Sequence, residues 1–305
     1  MKKTDLNKTK IYKRFSVEND ITIYKGDCRN LLKQIPDESI QLIITSPPYN
    51  IGKEYEKPMS VDDYYEFQKE IIDLCVKKLK PTGSICWEVG NYIDKSIKKT
   101  KIIPLDILLH PIFVKNNLQM RNRIIWYFGH GLHTKNRFSG RYETINWYSK
   151  TDDYIFNLDS VRVPQKYPGK KHFKGPKKGE FSSNPLGKNP SDVWDIPNVK
   201  SNHKEKTIHP CQFPISLVDR LVKSLSNEND IILDPFLGVG TTVISAIKNK
   251  RKGVGAEIDE KYYNLSVNRT KQQLEGTLPI RDDLPVYKPP KTSPITINPF
   301  VNNEN

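Results

Sequence analysis

The stretch Ile231-Ile232-Leu233-Asp234-Pro235-Phe236-Leu237-Gly238-Val239-Gly240-Thr241-Thr242 decides the fold. Three apolar β-formers lead into an acid, then a turn with two glycines, then residues able to start a helix. Such a turn exposes backbone N–H groups at a helix start, which suits a carboxylate as well as a phosphate. Taken alone, the glycine pair also fits an ordinary strand-to-helix turn. Its surroundings tip the balance. Downstream, the spacing predicts a helix over 241–249 and a strand over 253–258. Glu257 stands at the end of that strand, where a Rossmann-like sheet binds ribose hydroxyls, and Asp259 suits a helix cap. Upstream, Leu217, Val218, Leu221, Val222 and Leu225 share one face of a helix over 215–225.

The same alternation continues toward the N-terminus. Ile21–Tyr24 reads as a strand ending at Gly26-Asp27, and Cys28–Ile35 as a short helix. Gln41–Ile44 is an apolar run suited to burial on both faces of a parallel sheet, and it feeds Thr45-Ser46-Pro47-Pro48-Tyr49-Asn50. Tyr64, Phe67, Ile71, Leu74, Cys75 and Leu79 predict a helix over 61–79, closed by Pro81-Thr82-Gly83. Strands follow at 84–89, 123–128 and 143–149. The expected class is α/β: a doubly wound, mostly parallel, Rossmann-like sheet with one antiparallel strand near the edge. The boundaries expected are an N-terminal extension at 1–18, a catalytic domain at 19–276 and a mobile Pro/Asn-rich tail at 277–305. An irregular insertion at 163–206 carries Lys166, Lys170, Lys171, Lys174, Lys177 and Lys178 among Tyr167, His172 and Phe173.

With 49 Lys+Arg against 35 Asp+Glu, the 305-residue chain has a net charge of +14. That favours a polyanionic partner such as nucleic acid, against the plainer reading of solvated surface lysines. Cys28, Cys75, Cys86 and Cys211 form no C-x-x-C pair, so zinc and redox motifs are absent. No apolar stretch approaches a bilayer span, and the mean hydropathy is -0.63. A reducing, cytoplasmic location is expected.

Two motifs carry a family resemblance. Ser46-Pro47-Pro48-Tyr49 and the Asp234–Thr242 loop resemble the catalytic and cofactor motifs of the DNA amino-methyltransferases that use S-adenosylmethionine. Their order, catalytic motif first, resembles the permuted beta group. Roughly residues 20–270 are covered. The resemblance implies that Asp234, Pro235, Phe236, Gly238, Gly240, Thr241 and Thr242 cradle the methionine part of the donor, and that Glu257 holds its ribose. Gly26-Asp27-Cys28 resembles the adenine-binding turn, with Asp27 accepting from the adenine amine. His209-Pro210-Cys211-Gln212-Phe213-Pro214 resembles a His-Pro-x-Gln-Lys-Pro motif beside the cofactor, with Phe213 in place of Lys.

An exocyclic amine is a poor nucleophile because its lone pair is delocalised into the ring. Ser46 offers a side-chain oxygen and Pro47 a carbonyl to the amine, two prolines stiffen the turn, and Tyr49 can stack on the base. The base must leave the duplex to reach them. Methyl transfer is then direct and in line, needing position and electrostatics but no metal. Pro210-Cys211 mimics the nucleophile motif of cytosine-C5 enzymes, but it precedes the cofactor loop and lacks a companion Glu-Asn-Val. Ser at position 46 is typical of cytosine-N4 members. The stretches 137–145, 154–164 and 189–194 instead resemble adenine-N6 members, and the reading leans to adenine. Double-stranded DNA is the expected substrate, read through 163–206, with Arg121, Arg123, Arg137 and Arg141 as further candidates. Each of these arginines could equally serve in ion pairs, with Glu143 or Asp159 as partners. A cognate restriction endonuclease and a homodimer are further expectations. RNA or protein amine methylation, and a non-catalytic nucleic-acid-binding module, are the competing classes.

Overall fold

The apolar runs at 40–45 and 231–234 leave no solvent-facing side, and both become central strands. A computed structural model describes residues 9–50, 59–94, 101–129, 131, 133–200 and 203–281. In it every residue of β3 (Ile40–Thr45) and of β10 (Ile231–Asp234) is buried. The two strands pair in parallel, with Ile232 opposite Leu42 and Leu233 opposite Ile43. That register sets the carboxyl ends of both strands side by side.

The remaining strands are β1 (Ile11–Tyr12), β2 (Ile21–Lys25), β4 (Leu79–Val89), β7 (Gln119–Tyr127), β8 (Tyr142–Ser149), β9 (Val193–Asp195) and β11 (Lys252–Glu257), with a separate hairpin of β5 (Asn91–Asp94) and β6 (Lys101–Pro104). The nine-stranded sheet has the order β1-β2-β11-β10-β3-β4-β8-β7-β9. Within it, among the described residues, only β8 runs against its neighbours. The expected mostly parallel sheet with one antiparallel strand is therefore observed. β1 lies within the segment read as an N-terminal extension and pairs with the edge of the sheet. Residues 1–8 and most of the expected mobile tail, from 282 onward, lie outside the described residues.

Helices cover both faces. On one, α1 (Cys28–Leu32), α2 (Val61–Lys78) and α3 (Leu105–Lys115) pack on Ile43, Ile85, Trp87 and Leu233. On the other, α4 (Ile215–Leu225) and α5 (Thr241–Lys248) pack on Leu42, Ile44, Ile145 and Ile232, while α6 (Glu260–Glu275) closes the side over β2. Local signals explain the helix ends. Ser60 caps α2 by accepting from Asp63 N at 3.1 Å, and Asp259 caps α6 by accepting from Lys261 N at 2.8 Å. Helix α2 stops at Lys78, before the expected Pro81-Thr82-Gly83 stop, because Leu79 already pairs with Ile40 in the sheet. Helix α1 likewise ends at Leu32, earlier than the expected Ile35.

The 163–206 insertion divides into two parts. Antiparallel bridges Val163–Lys188 and Lys171–Phe181 close a projecting arm. The chain then returns as β9, which joins the sheet beside β7. Trp126 fixes that return: its Nε1 donates to Ile196 O at 2.7 Å, and its ring packs edge-on against Phe213. Trp126 is 3% exposed. Trp126→Ala is expected to cost about 3–5 kcal/mol. A urea titration checks this, with a lower midpoint and an unchanged slope.

Candidate active site

Asp234 ends β10 with its carboxylate inside the protein, 3% exposed. Thr45 Oγ1, at the end of β3, donates to its Oδ1 at 2.6 Å. Thr242 Oγ1, in the first turn of α5, donates to Oδ2 at 2.6 Å, and Phe236 N donates to Oδ1 at 3.0 Å. One carboxyl thus ties the residue before the Ser46 turn to both ends of the glycine loop. Burial lifts its pKa to about 6 even against these donors. Pro235 is buried behind it, and Phe236 packs against Phe67 and Trp87.

The loop backbone is held from several sides. Gly240 takes φ of 88°, and a Cβ there would meet Ser266 of α6 at 3.1 Å, so the tight turn requires glycine. Arg269, 3% exposed, donates to Val239 O at 2.6 Å. Glu257 accepts from Gly238 N at 2.8 Å and from Asp259 N at 2.7 Å. Burial raises its pKa to about 7, with the charges of Asp259 and Asp234 adding to the rise. Thr241 Oγ1 reaches Phe213 O at 3.4 Å. His209 lies across the loop: a Cβ on Gly238 would sit 3.5 Å from its Nε2. Its Nδ1 accepts from Cys211 N, which places the ring proton on Nε2, and burial lowers its pKa to about 4.

Three expected cofactor residues have structural occupations. The Asp27 carboxylate caps α1 and grips the Arg29 guanidinium, which lowers its pKa. Cys28 is buried among Leu31 and Leu32, and burial raises its thiol pKa to about 12. Gln212 accepts from Thr207 Oγ1 at 2.8 Å and donates to Glu205 O at 2.8 Å, bracing the strap before α4. Phe213, where the motif has Lys, is a core residue against Trp126.

In the catalytic turn, Pro47 and Tyr49 are buried, while Ser46 and Pro48 are partly exposed. Ser46 Oγ donates to the Tyr49 hydroxyl at 3.0 Å, and that hydroxyl donates to Glu88 at the end of β4. Asn50 takes φ of 59° and clamps Met59 through Nδ2 to O at 2.7 Å and Oδ1 from N at 2.9 Å. The turn therefore ends in a fixed corner beside the glycine loop.

A DNA methylase family model matches residues 40–268. The Type II methyltransferase M.BglII of Bacillus subtilis is 50% identical over 80% of this chain and 67% of its own length. The DNA adenine methyltransferase YhdJ of Escherichia coli K12 is 33% identical over 81% of this chain and 82% of its own length. The chain belongs to the N6-adenine/N4-cytosine DNA methyltransferase family. Among solved structures, the PvuII cytosine-N4-specific DNA methyltransferase matches with a TM-score of 0.64 at 22% identity, covering 84% of this chain and 92% of that one. A Thermus thermophilus protein solved with S-adenosyl-L-methionine matches with a TM-score of 0.61 at 23% identity, covering 83% of this chain and 94% of that one. Both share the fold.

For this methyltransferase, sequence reasoning missed the braces. Glu205 is 3% exposed; its Oε2 accepts from Ile215 N at 2.9 Å at the start of α4 and its Oε1 from Arg281 N at 3.1 Å. Arg269 and Glu88 were missed too, because nothing local marks a residue whose partner lies elsewhere in the chain. Two arginines offered as DNA contacts are in ion pairs, though not with Glu143 or Asp159: Arg121 pairs with Asp152 at 2.6 Å, and Arg123 bonds Asp106 at 2.6 Å. Asp159 pairs with Arg162 at 2.6 Å.

Glu257 carries a raised pKa, so its neutral form stabilises the ligand-free fold. That contribution is complete below about pH 4.5 and is lost as pH rises through about 7. Urea midpoints of the ligand-free protein are expected to decline over this window, by roughly 2–4 kcal/mol from this group. Glu257→Gln is expected to flatten the decline; a slope equal to wild type would contradict the assignment.

Proposed function

We propose that this DNA methyltransferase transfers the methyl group of S-adenosyl-L-methionine to the exocyclic amine of a flipped-out base, and that the base is cytosine, methylated at N4. The observation that carries the site assignment is the Asp234 carboxylate joining Thr45 to Thr242. It sets the Ser46 turn beside the loop suited to the donor. The donor set fits: Glu257 offers a half-buried carboxyl to the ribose diol, and the Gly238–Thr242 turn sets the positive end of α5 toward the donor's carboxylate. The donor brings a methyl group on a sulfonium; the chain's residues position it, exclude water and accept N–H bonds from the amine. Asp27, occupied by Arg29, serves by shaping the turn at Gly26 beside the adenine.

The choice of cytosine rests on where the conflicting signals lie. Two of the stretches resembling adenine-N6 members, 154–164 and 189–194, do scaffold work. Asn157 Nδ2 donates to Ser226 O at 3.0 Å, Asp159 pairs with Arg162, and Trp194 is 6% exposed in the edge strand. Ser46 lies in the catalytic turn itself, and Ser there is typical of cytosine-N4 members. The adenine reading is the alternative, favoured by the 33% identity to the adenine methyltransferase YhdJ. Nucleoside mass spectrometry of DNA from a methylation-free host expressing this chain separates them. N4-methylcytosine is the expected product. N6-methyladenine would transfer the assignment to adenine, and the absence of both would overturn the DNA reading of the site.

The catalytic motif precedes the cofactor loop, as in the beta group. The relatives named Type II methyltransferases support a restriction–modification role; a cognate endonuclease, a cytoplasmic location and a homodimer are parts of the proposal that rest on the sequence resemblance. DNA would be tracked by the 163–188 arm, where residues 171–180 are all exposed and Phe173 is 82% exposed. Lys170, Lys171, Lys174, Lys177 and Lys178 line it. Affinity for DNA is expected to fall steeply with salt. Replacing these lysines by alanine should flatten the log–log slope by about 0.9 for each phosphate left without its lysine. A slope unchanged in the variant would exclude the arm from the phosphate path.

A further inference from the structure

Two carboxyl groups beneath the catalytic turn have no part in the scheme above. Glu88 faces Ile145 in the β4–β8 ladder, so Glu143, two residues earlier on β8, lies diagonally on the same face. Glu88 is 1% exposed. The two acids lie close enough that the charge of one disfavours ionisation of the other, which favours a single proton held by the pair. Among the described residues no donor serves Glu88 Oε1, while Oε2 takes the Tyr49 hydroxyl. Glu143 and Tyr49 both lie against Gly90: a Cβ there would sit 3.4 Å from Glu143 Cγ and from Tyr49 Cε2. From β7 the residue opposite Glu143 is Trp126, which does not titrate. From the catalytic turn, the titratable group facing the pair is Tyr49. Burial raises both acids, and the charge of Glu143 raises Glu88 further.

Direction along the hydroxyl chain follows from its end. An ionised Glu88 can only accept, so Tyr49 donates to it, and Ser46, in contact with both the Tyr49 hydroxyl and the Glu88 carboxyl, directs its proton toward the pair. We propose that Glu88 and Glu143, sharing one proton, form the proton sink of methyl transfer, reached from the substrate amine through Ser46 and Tyr49. This rests on Ser46 being the residue at the reacting amine. As the methyl carbon leaves sulfur and bonds to nitrogen, the amine must lose one proton. Ser46 Oγ takes it and passes its own proton to Tyr49, whose proton goes to the carboxylate of Glu88. The amine ends neutral and the acid pair doubly protonated, to be deprotonated by solvent after release. An isolated glutamate ionises near 4.3 and is a weak acceptor at neutral pH; a buried pair is better matched. Glu88 and Glu143 act through Tyr49 and Ser46, and are positioning residues.

The test is the single-turnover methylation rate against pH, at saturating donor and DNA, with donor affinity measured alongside. Wild type should lose rate on acidification with a midpoint above the ordinary carboxylate range. Glu143→Gln should move that midpoint down by about one pH unit. Glu88→Gln should lower the rate about 100-fold with donor affinity held within a few-fold, and Tyr49→Phe in that background should add little more. A Glu143→Gln profile lying on the wild-type curve, or full turnover by Glu88→Gln, overturns the proposal. If Glu143→Gln does not fold, Glu143→Asp must still displace the acid limb. Asp234 and Glu257 are unchanged in every variant, so their titration cancels. Ser46→Ala separates the layers: full activity would remove the site assignment itself, whereas an inactive variant that binds donor leaves only the pair in question.

Discussion

Everything at this site depends on one buried carboxylate accepting from three donors. Thr45, Phe236 and Thr242 belong to a strand end, a loop and a helix start, and Asp234 is the partner they share. Removing one donor leaves a lone pair unfilled in a buried region, which costs about 1–3 kcal/mol. More important is geometry. Residues 189 apart in sequence, Thr45 and Asp234, are fixed at 2.6 Å, and with them the catalytic turn and the donor loop. In-line transfer demands that nucleophile and methyl group be held in near-attack geometry, where a misplacement of about 1 Å can cost on the order of 100-fold, and a single-carboxyl tie is a direct way to secure that.

That tie works only because its surroundings are stiff. The central strands are buried on both faces, so β3 and β10 cannot slide without exposing apolar side chains. From behind, Arg269 and Ser266 of α6 hold the loop. From above, the strap from Glu205 to Phe213 is bound to the start of α4 and to the Trp126 cluster. The insertion that carries the basic arm is rooted in the same cluster, through Ile196.

The central sheet was legible because its signals are local. Continuous apolar runs mark the buried parallel strands, and the glycine turn marks the donor loop. Helix α3 was not legible: Pro111 sits inside it and breaks the pattern that Leu105, Leu109, Ile112 and Phe113 would otherwise show. The β5–β6 hairpin and β9 are too short to register against loop composition. The Ser46 turn, the glycine loop and Glu257 were legible in the sequence, since each is a contiguous motif at a strand end; their roles in catalysis and donor binding are the proposed ones. Glu88, Glu143, Glu205 and Arg269 were not, since their roles exist only once strand register and helix packing bring distant residues together. Asp27 and Gln212 were read as ligand contacts from motif position, yet their side chains are taken up by Arg29 and by the strap.

The four buried or half-buried acids also answer a question of charge. Asp234, Glu257 and Glu88 end parallel strands, and Glu143 lies near the start of β8. Because β8 runs antiparallel, its start falls at the same edge of the sheet as the ends of the others. The single reversed strand thus completes an acid-rich edge in a chain whose net charge is +14. On the proposed reading, a cationic sulfonium donor is favoured at that edge and a polyanionic duplex along the lysine arm. On that reading the DNA backbone stays on the basic surface and only an uncharged, flipped base approaches the carboxyls. The raised pKa values limit the repulsion among the acids near neutral pH, so the edge can be acid-rich without carrying four full charges.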